Sequence, residues 1–332
     1  MSPYQAFHAL RIPSGHNDVM ASYNKNLECR PDGYWALYQR GNALRQTGLY
    51  EDALDSYEEA LACRSDDYRA WHQRGNALAE LGRYDDAIGS YDKALALKPA
   101  HYWSWYQRGH ALRNAGRYYD AVASFNKALE IRPDDYWTLY HRASIFLYNL
   151  NRSQEALAGY DQALELRPND YWSWYRRSIA LFGLSHYQDA IASYDQALEL
   201  RPRDYWATYR QGDALLGLGR YEDAIAGYDR AVEIQPDYPD AWVYRGLALQ
   251  LSGRTCDAIA SYDQALELDS YVSDAWYGKA CCYASQGDVR QTIEHLQKVF
   301  ELSQDEYRQQ ATAEPAFDAI RESEEFQALL QN

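Results

Sequence analysis

Small, bulky and polar residues return to the same places along this chain with a step of 34 residues. Aligning D-Y-W-x-x-Y and Y-D-x-A-L gives eight units, beginning at Tyr34, Tyr68, Tyr102, Tyr136, Tyr171, Tyr205, Pro239 and Ser273; the one beginning at Tyr136 has 35 residues. Within a unit, a bulky residue at position 4, a small one at 8 and an apolar one at 11 are spaced by four and three, so they share one helix face. Position 8 is glycine at Gly41, Gly75, Gly109, Gly212 and Gly246, where two helices can approach closely. Position 15 is glycine at Gly48, Gly82, Gly116, Gly219, Gly253 and Gly287, which predicts the end of the first helix. A second helix follows, with Ala at 20, Tyr or Phe at 24 and Ala at 27, and Pro99, Pro133, Pro168, Pro202 and Pro236 stop it at position 32. A fixed period of this length predicts helical hairpins stacked side by side.

Trp71, Gly75, Leu78, Tyr84, Ala87, Tyr91, Ala94 and Pro99 resemble, position by position, the motif of the tetratricopeptide repeat (TPR) family. The resemblance covers residues 34–306, and units such as A-W-x-x-R-G-x-A-L also resemble those of multi-TPR proteins of cyanobacteria. It implies an all-α fold, an α-α superhelix built as a right-handed TPR solenoid, whose first helices line the concave side. Two departures from the motif matter. Position 7 is mostly arginine (Arg40, Arg74, Arg108, Arg142, Arg177, Arg245), and position 25 is mostly acidic (Glu58, Asp92, Asp161, Asp195, Asp229, Asp263). These residues either form a ladder of bidentate pairs between neighbouring helices or lie along the surface with packed stems and solvated heads.

The ends and the middle break the rhythm. Residues 1–16 read as a loose arm, 17–33 as a lone capping helix, and 307–332 as C-terminal capping helices that cover the last apolar face. In the fourth and fifth units Ala143 and Ser178 replace the glycine of position 8, and Asn151 and Ser185 that of position 15. An extra residue between Leu147 and Ser153 predicts a disturbed turn and a bend in the array.

The family resemblance implies that positions 2, 5, 9, 12 and 13 face the groove. Position 2 is Trp35, Trp103, Trp137, Trp172 and Trp206; position 5 is Tyr38, Tyr106, Tyr140, Tyr175 and Tyr209. Position 9 contributes Asn42, Asn76, His110 and Ile179, and position 12 contributes Arg45, Arg113, Leu147, Phe182 and Leu216. The groove is therefore expected to be polar over the first three units and apolar over the next three, and to take a peptide or a helix of a protein partner. The indoles at position 2 either line the groove or cement successive units; those at position 4 are expected in the core. The carboxylate clamp of some family members needs lysines where Tyr38, His72 and Tyr106 stand, which speaks against that mode.

Charge and composition narrow the classes. A net charge of −15 disfavours nucleic acid, and much of the acidity falls at helix starts such as Glu51-Asp52 and Asp85-Asp86. The aromatic content is weighted to 32 Tyr and 10 Trp against 7 Phe, residues with an apolar body and a polar tip. Five cysteines without metal spacing read as free thiols in a reducing compartment, and no apolar run predicts an integral membrane segment. Catalytic motifs such as HExxH, a Walker loop or GxSxG are absent, and no cofactor or metal is expected. The chain is expected to be a cytoplasmic, non-catalytic scaffold or assembly factor. The alternatives are an accessory or assembly subunit of a photosynthetic complex, peripheral to a membrane, and a regulatory subunit of an enzyme encoded elsewhere.

Overall fold

A computed structural model describes residues 33–302 and 306–331. The arm predicted over 1–16 and all but the last residue of the helix predicted over 17–33 lie outside the described residues. The chain divides into two compact units, Met1–Leu166 and Arg167–Asn332. In the first unit, α1 (Tyr34–Gln46), α2 (Tyr50–Cys63), α3 (Tyr68–Glu80), α4 (Tyr84–Leu97), α5 (Tyr102–Asn114), α6 (Tyr118–Ile131), α7 (Tyr136–Tyr148) and α8 (Ser153–Leu166) form four consecutive hairpins. The second unit has four more: α9 (Tyr171–Gly183), α10 (Tyr187–Leu200), α11 (Tyr205–Gly217), α12 (Tyr221–Ile234), α13 (Pro239–Leu251), α14 (Thr255–Leu268), α15 (Ser273–Ser285) and α16 (Val289–Leu302). It ends with α17 (Glu306–Ala313), a single 3₁₀ turn and α18 (Glu324–Gln331). Phe317, Ile320 and Phe326 are buried there against Leu296, Val299 and Phe300. Among the described residues every regular element is helical, and no helix is long and apolar enough to cross a membrane.

Seven of the eight hairpins close on one ring, and the eighth has Leu296 in its place. Tyr57, Tyr91, Phe125, Tyr160, Tyr194, Tyr228 and Tyr262, all at position 24, are at most 1% exposed. The ring lies flat against position 8 of the facing helix, so a Cβ added at Gly41, Gly75 or Gly246 would stand 2.6 Å from its Cε1. In the fourth hairpin the glycine has changed sides: Ala143 occupies position 8, and Gly159 on α8 leaves the space, with an added Cβ only 2.8 Å from that of Ala143. The turns survive their substitutions. Asn151 and Ser185 take the left-handed conformation, φ 52° and 59°, that the turn glycines take elsewhere. The extra residue is absorbed by a wider closure, in which Arg152 N–H donates to the Phe146 carbonyl at 2.8 Å.

Hairpin is joined to hairpin through position 7. The Arg74, Arg108 and Arg245 guanidiniums each reach back to the acid at position 25 of the preceding hairpin, Glu58, Asp92 and Asp229, at 2.6–2.7 Å. Nη1 of each donates to the position-23 serine of its own hairpin, Ser90, Ser124 and Ser261. Arg177 makes the same bond to Ser193. The ladder therefore exists at these three pairs, but they are not bidentate: each guanidinium engages a single carboxylate oxygen while its Nη1 serves a buried serine. The position-4 indoles complete the seam. Rather than lying in the core, Trp71, Trp105, Trp174, Trp242 and Trp276 are half-buried. Each donates Nε1–H to the carbonyl six residues earlier, that of Ser65, Pro99, Pro168, Pro236 and Ser270, at 2.7–3.1 Å. The position-7 cation lies 5.4–5.8 Å from the ring. A guanidinium on that face is held by the ring quadrupole as well as by the carboxylate.

These contacts predict opposite effects for two glycines of one hairpin. Gly75→Ala must push the Tyr91 ring aside, an overpacking cost of roughly 1–3 kcal/mol that outweighs the roughly 1 kcal/mol gained in helix propensity. Gly89→Ala, with nothing within 4 Å, should gain the propensity alone. Urea unfolding followed by circular dichroism should rank Gly89→Ala above wild type and Gly75→Ala below it.

Candidate partner-binding face

The first helix of each hairpin carries the predicted groove residues, and the structure sorts them by depth. At position 2 the indoles face solvent: Trp103, Trp137, Trp172 and Trp206 are 38–48% exposed, and Trp35 is partly covered. At position 5, Tyr38, Tyr140 and Tyr209 are buried, with Tyr106 and Tyr175 partly so. They pack edge-on against the position-2 indoles, with centroids 5.8–6.3 Å apart, and so back the exposed rings rather than share their exposure. Position 12 is partly covered at Arg45, Arg113, Phe182 and Leu216 and buried at Leu147. Ile179 is likewise partly covered.

Position 9 has an internal duty that spacing along one helix does not reveal. The phenol of position 24 is buried and needs an acceptor. Tyr57 O–H donates to Asn42 at 2.8 Å, Tyr91 to Asn76 at 2.9 Å and Tyr228 to Asp213 at 2.8 Å. The amides expected to line the groove are thus turned to their own hairpins. Where position 24 is Phe125 there is no hydroxyl, and His110 stands opposite it with Nε2 buried and unpartnered.

Two further sets of residues belong to this face. Position 1 carries tyrosines that stack on position 5, as Tyr102 does on Tyr106 and Tyr205 on Tyr209, at 5.8 Å. Position 31, at the end of the second helix, places an exposed cation over these rings: Arg132 lies 4.3 Å from the Tyr102 centroid and 5.7 Å from that of Trp103. Arg201 lies 4.1 Å from Tyr171 and 5.1 Å from Trp172. The signal for it was the R-P that closes these units, which the groove positions of the resemblance do not include. Each such hairpin presents an exposed indole beside an exposed guanidinium.

The first unit also holds a neutral polar chain. The Asn76 amide donates to His72 Nε2 at 3.2 Å, which leaves His72 Nδ1–H to donate to Ser104 Oγ at 3.0 Å. The Ser104 hydroxyl then donates to His101 Nδ1 at 2.8 Å. Burial, followed by the neighbouring His101, holds the His72 pKa down at about 3, and burial depresses His110 as well. In the second unit burial lifts Asp213 to about 6, against the opposing pull of Tyr228 and Arg210. Among the described residues no group of three or more His, Cys, Asp or Glu is placed to hold a metal ion.

The family model described as the tetratricopeptide repeat matches residues 38–102, 175–239, 209–272 and 245–299, and two others of that description match 102–135 and 138–170. Among solved structures, the chain is similar to the C-terminal part of a TPR repeat-containing protein from Cytophaga hutchinsonii, with a TM-score of 0.63 and 18% identity over 73% of this chain and 98% of that one. A tetratricopeptide repeat protein from Parabacteroides merdae gives 0.52 and 17% over 74% and 97%. MamA from Desulfovibrio magneticus gives 0.49 and 29% over 52% and 98%. Among curated proteins no sequence matches this one.

The histidine shifts set a pH dependence. A histidine whose folded pKa is depressed stays neutral in the fold while the unfolded chain takes up a proton near pH 6.5. Stability is therefore full above the unfolded value and is lost as pH falls from about 6.5 toward the folded value of about 3. Between pH 7.5 and 5, His72 should account for a loss of roughly 1–2 kcal/mol. Unfolding curves of wild type and His72→Gln at both pH values check this: the variant should lose less, and an equal loss would contradict the assignment.

Proposed function

Because the chain belongs to the tetratricopeptide repeat family, we propose that it is a protein-interaction scaffold that holds an extended peptide or a helix of a partner along the first-helix face of its hairpins. The exposed indoles of Trp103 and Trp137 in the first unit, and of Trp172 and Trp206 in the second, are the observation that supports this reading. Large rings left in water, among them Trp103 and Trp172 beside a guanidinium, are the residue types that dominate binding energy at interfaces. Each ring is held edge-on by the tyrosine behind it, so little side-chain freedom is lost when a guest covers it.

Arg132 and Arg201 give that guest a chemical character. They stand exposed beside Trp103 and Trp172, so a segment that combines apolar side chains with acids fits better than a basic one. The overall charge of −15 disfavours acidic partners at long range, so the selectivity rests on local pairing and should be sensitive to salt.

The test compares the full chain with Trp103→Ala/Trp137→Ala and Trp172→Ala/Trp206→Ala in affinity capture from the native source, read by mass spectrometry. Removing a central indole should cost about 2 kcal/mol, roughly a thirtyfold weakening, without a change in helical content because the rings are exposed. Specific partners should disappear from at least one variant. Undiminished capture by both variants would refute the reading.

A further inference from the structure

In the first unit, a cleft of about 350 Å³ opens between α6, α7 and α8, lined by Leu129, Pro133, Leu139, Arg142, Gln162 and Leu166. Its position is that of the inter-hairpin seam, and the other seams show what ordinarily fills it. In the seventh hairpin, Trp242 donates Nε1–H to the Pro236 carbonyl at 3.1 Å, Arg245 lies 5.8 Å from that ring, and the guanidinium binds Asp229 and Ser261. In the fourth hairpin the cation remains, as Arg142, but all three of its companions have changed. Leu139 stands for the indole, Asn126 for the acid and Gly159 for the serine.

Arg142 is left with neutral partners. Nη1 donates to the Asn126 carbonyl oxygen at 2.9 Å, Nη2 to that of Gln162 at 3.3 Å, and Nε is buried without a partner. Burial lowers its pKa, the mark of a charge held away from water without a compensating anion. The sixth hairpin shows the economical alternative. There Thr208 replaces the indole and Gly227 the serine, and the cation has gone too: Gln211 bonds Asp195 at 2.6 Å. Only the fourth hairpin of these two keeps a guanidinium facing an open cleft. Packing is also thinnest here, since α6 and α7 meet less closely than the other consecutive helices of the first unit.

We infer that this cleft is a binding site for an indole that carries a carboxylate, the ring taking the place of the missing tryptophan and the carboxylate supplying the anion that Arg142, faced only by the neutral amides of Asn126 and Gln162, lacks. The ring N–H would find the Pro133 carbonyl, six residues before Leu139, as the seam indoles find theirs. A volume of this size is at the low end for small-ligand pockets and suits one aromatic residue. Asp134 and Glu165 also line the cleft, but both side chains are exposed to solvent, which screens their charge. Their counterparts Asp237 and Glu267 flank the seventh seam, where an arginine–carboxylate pair forms nonetheless. The same chemistry is supplied by a free indole carboxylic acid or by a chain that ends in tryptophan.

Calorimetric titration of the full chain with indole-3-acetate, and with a pentapeptide ending in Trp with a free C-terminus, tests both sources. At least one should bind saturably, and the corresponding amide should bind at least tenfold more weakly. Leu139→Trp, which refills the cleft from within, should abolish binding, and Asn126→Asp, which supplies the missing carboxylate, should weaken it at least fivefold with the fold intact by circular dichroism. Absence of binding by both ligands would overturn the proposal. So would amides that bind as well as the acids, or binding that persists in a folded Leu139→Trp chain.

Discussion

A helical hairpin with one aromatic ring at its centre cannot bury its own flanks, so each hairpin in this chain depends on what it can grip in the next. At the second, third and seventh hairpins the grip is a cation at position 7, shared by three helices. In the third hairpin, the Arg108 guanidinium touches the Asp92 carboxylate of the preceding hairpin, the Ser124 hydroxyl of its own second helix, and the face of Trp105 on its own first helix. An exposed ion pair alone contributes little. Here the cation is held over the face of a half-buried indole and against a fully buried hydroxyl, so the geometry is fixed before the charges meet. Because the seam fixes how far apart consecutive first helices lie, it also sets the spacing of the exposed indoles within each unit.

The fold was legible because its information is periodic. A glycine at position 8 opposite a ring at position 24 states the packing of the hairpin twice, once from each helix, and the exchange of Ala143 with Gly159 keeps the statement intact with the roles reversed. The turn residues Asn151 and Ser185 broke the pattern in composition but not in conformation, since the left-handed position is required by the hairpin rather than by glycine.

The layout of the candidate face was legible only where it is a property of one helix. Positions 2 and 5 are three apart, and their being neighbours follows from helical geometry. Which of them is covered does not: it took the neighbouring helices to bury Tyr209 and leave Trp206 in water. Position 9 carries a second duty that one helix alone does not reveal. Asn42 and Asn76 look like groove residues on α1 and α3, yet each answers a phenol on the following helix, fifteen residues away. The two readings of position 7 stayed open in sequence because spacing does not measure the gap between hairpins. The cleft beside Arg142 was invisible because a leucine at Leu139 reads as an ordinary apolar substitution until the missing indole is seen to leave space.

The central claim is that the position-7 cation couples one hairpin to the next, and a double-mutant cycle measures that coupling directly. Stabilities of wild type, Arg108→Met, Asp92→Asn and the double variant, taken from urea unfolding, give the interaction free of each residue's separate effects. The seam geometry predicts a coupling of about 0.5–1 kcal/mol, at the upper end for a partly exposed pair. Additive losses, with no coupling beyond experimental error, would contradict it.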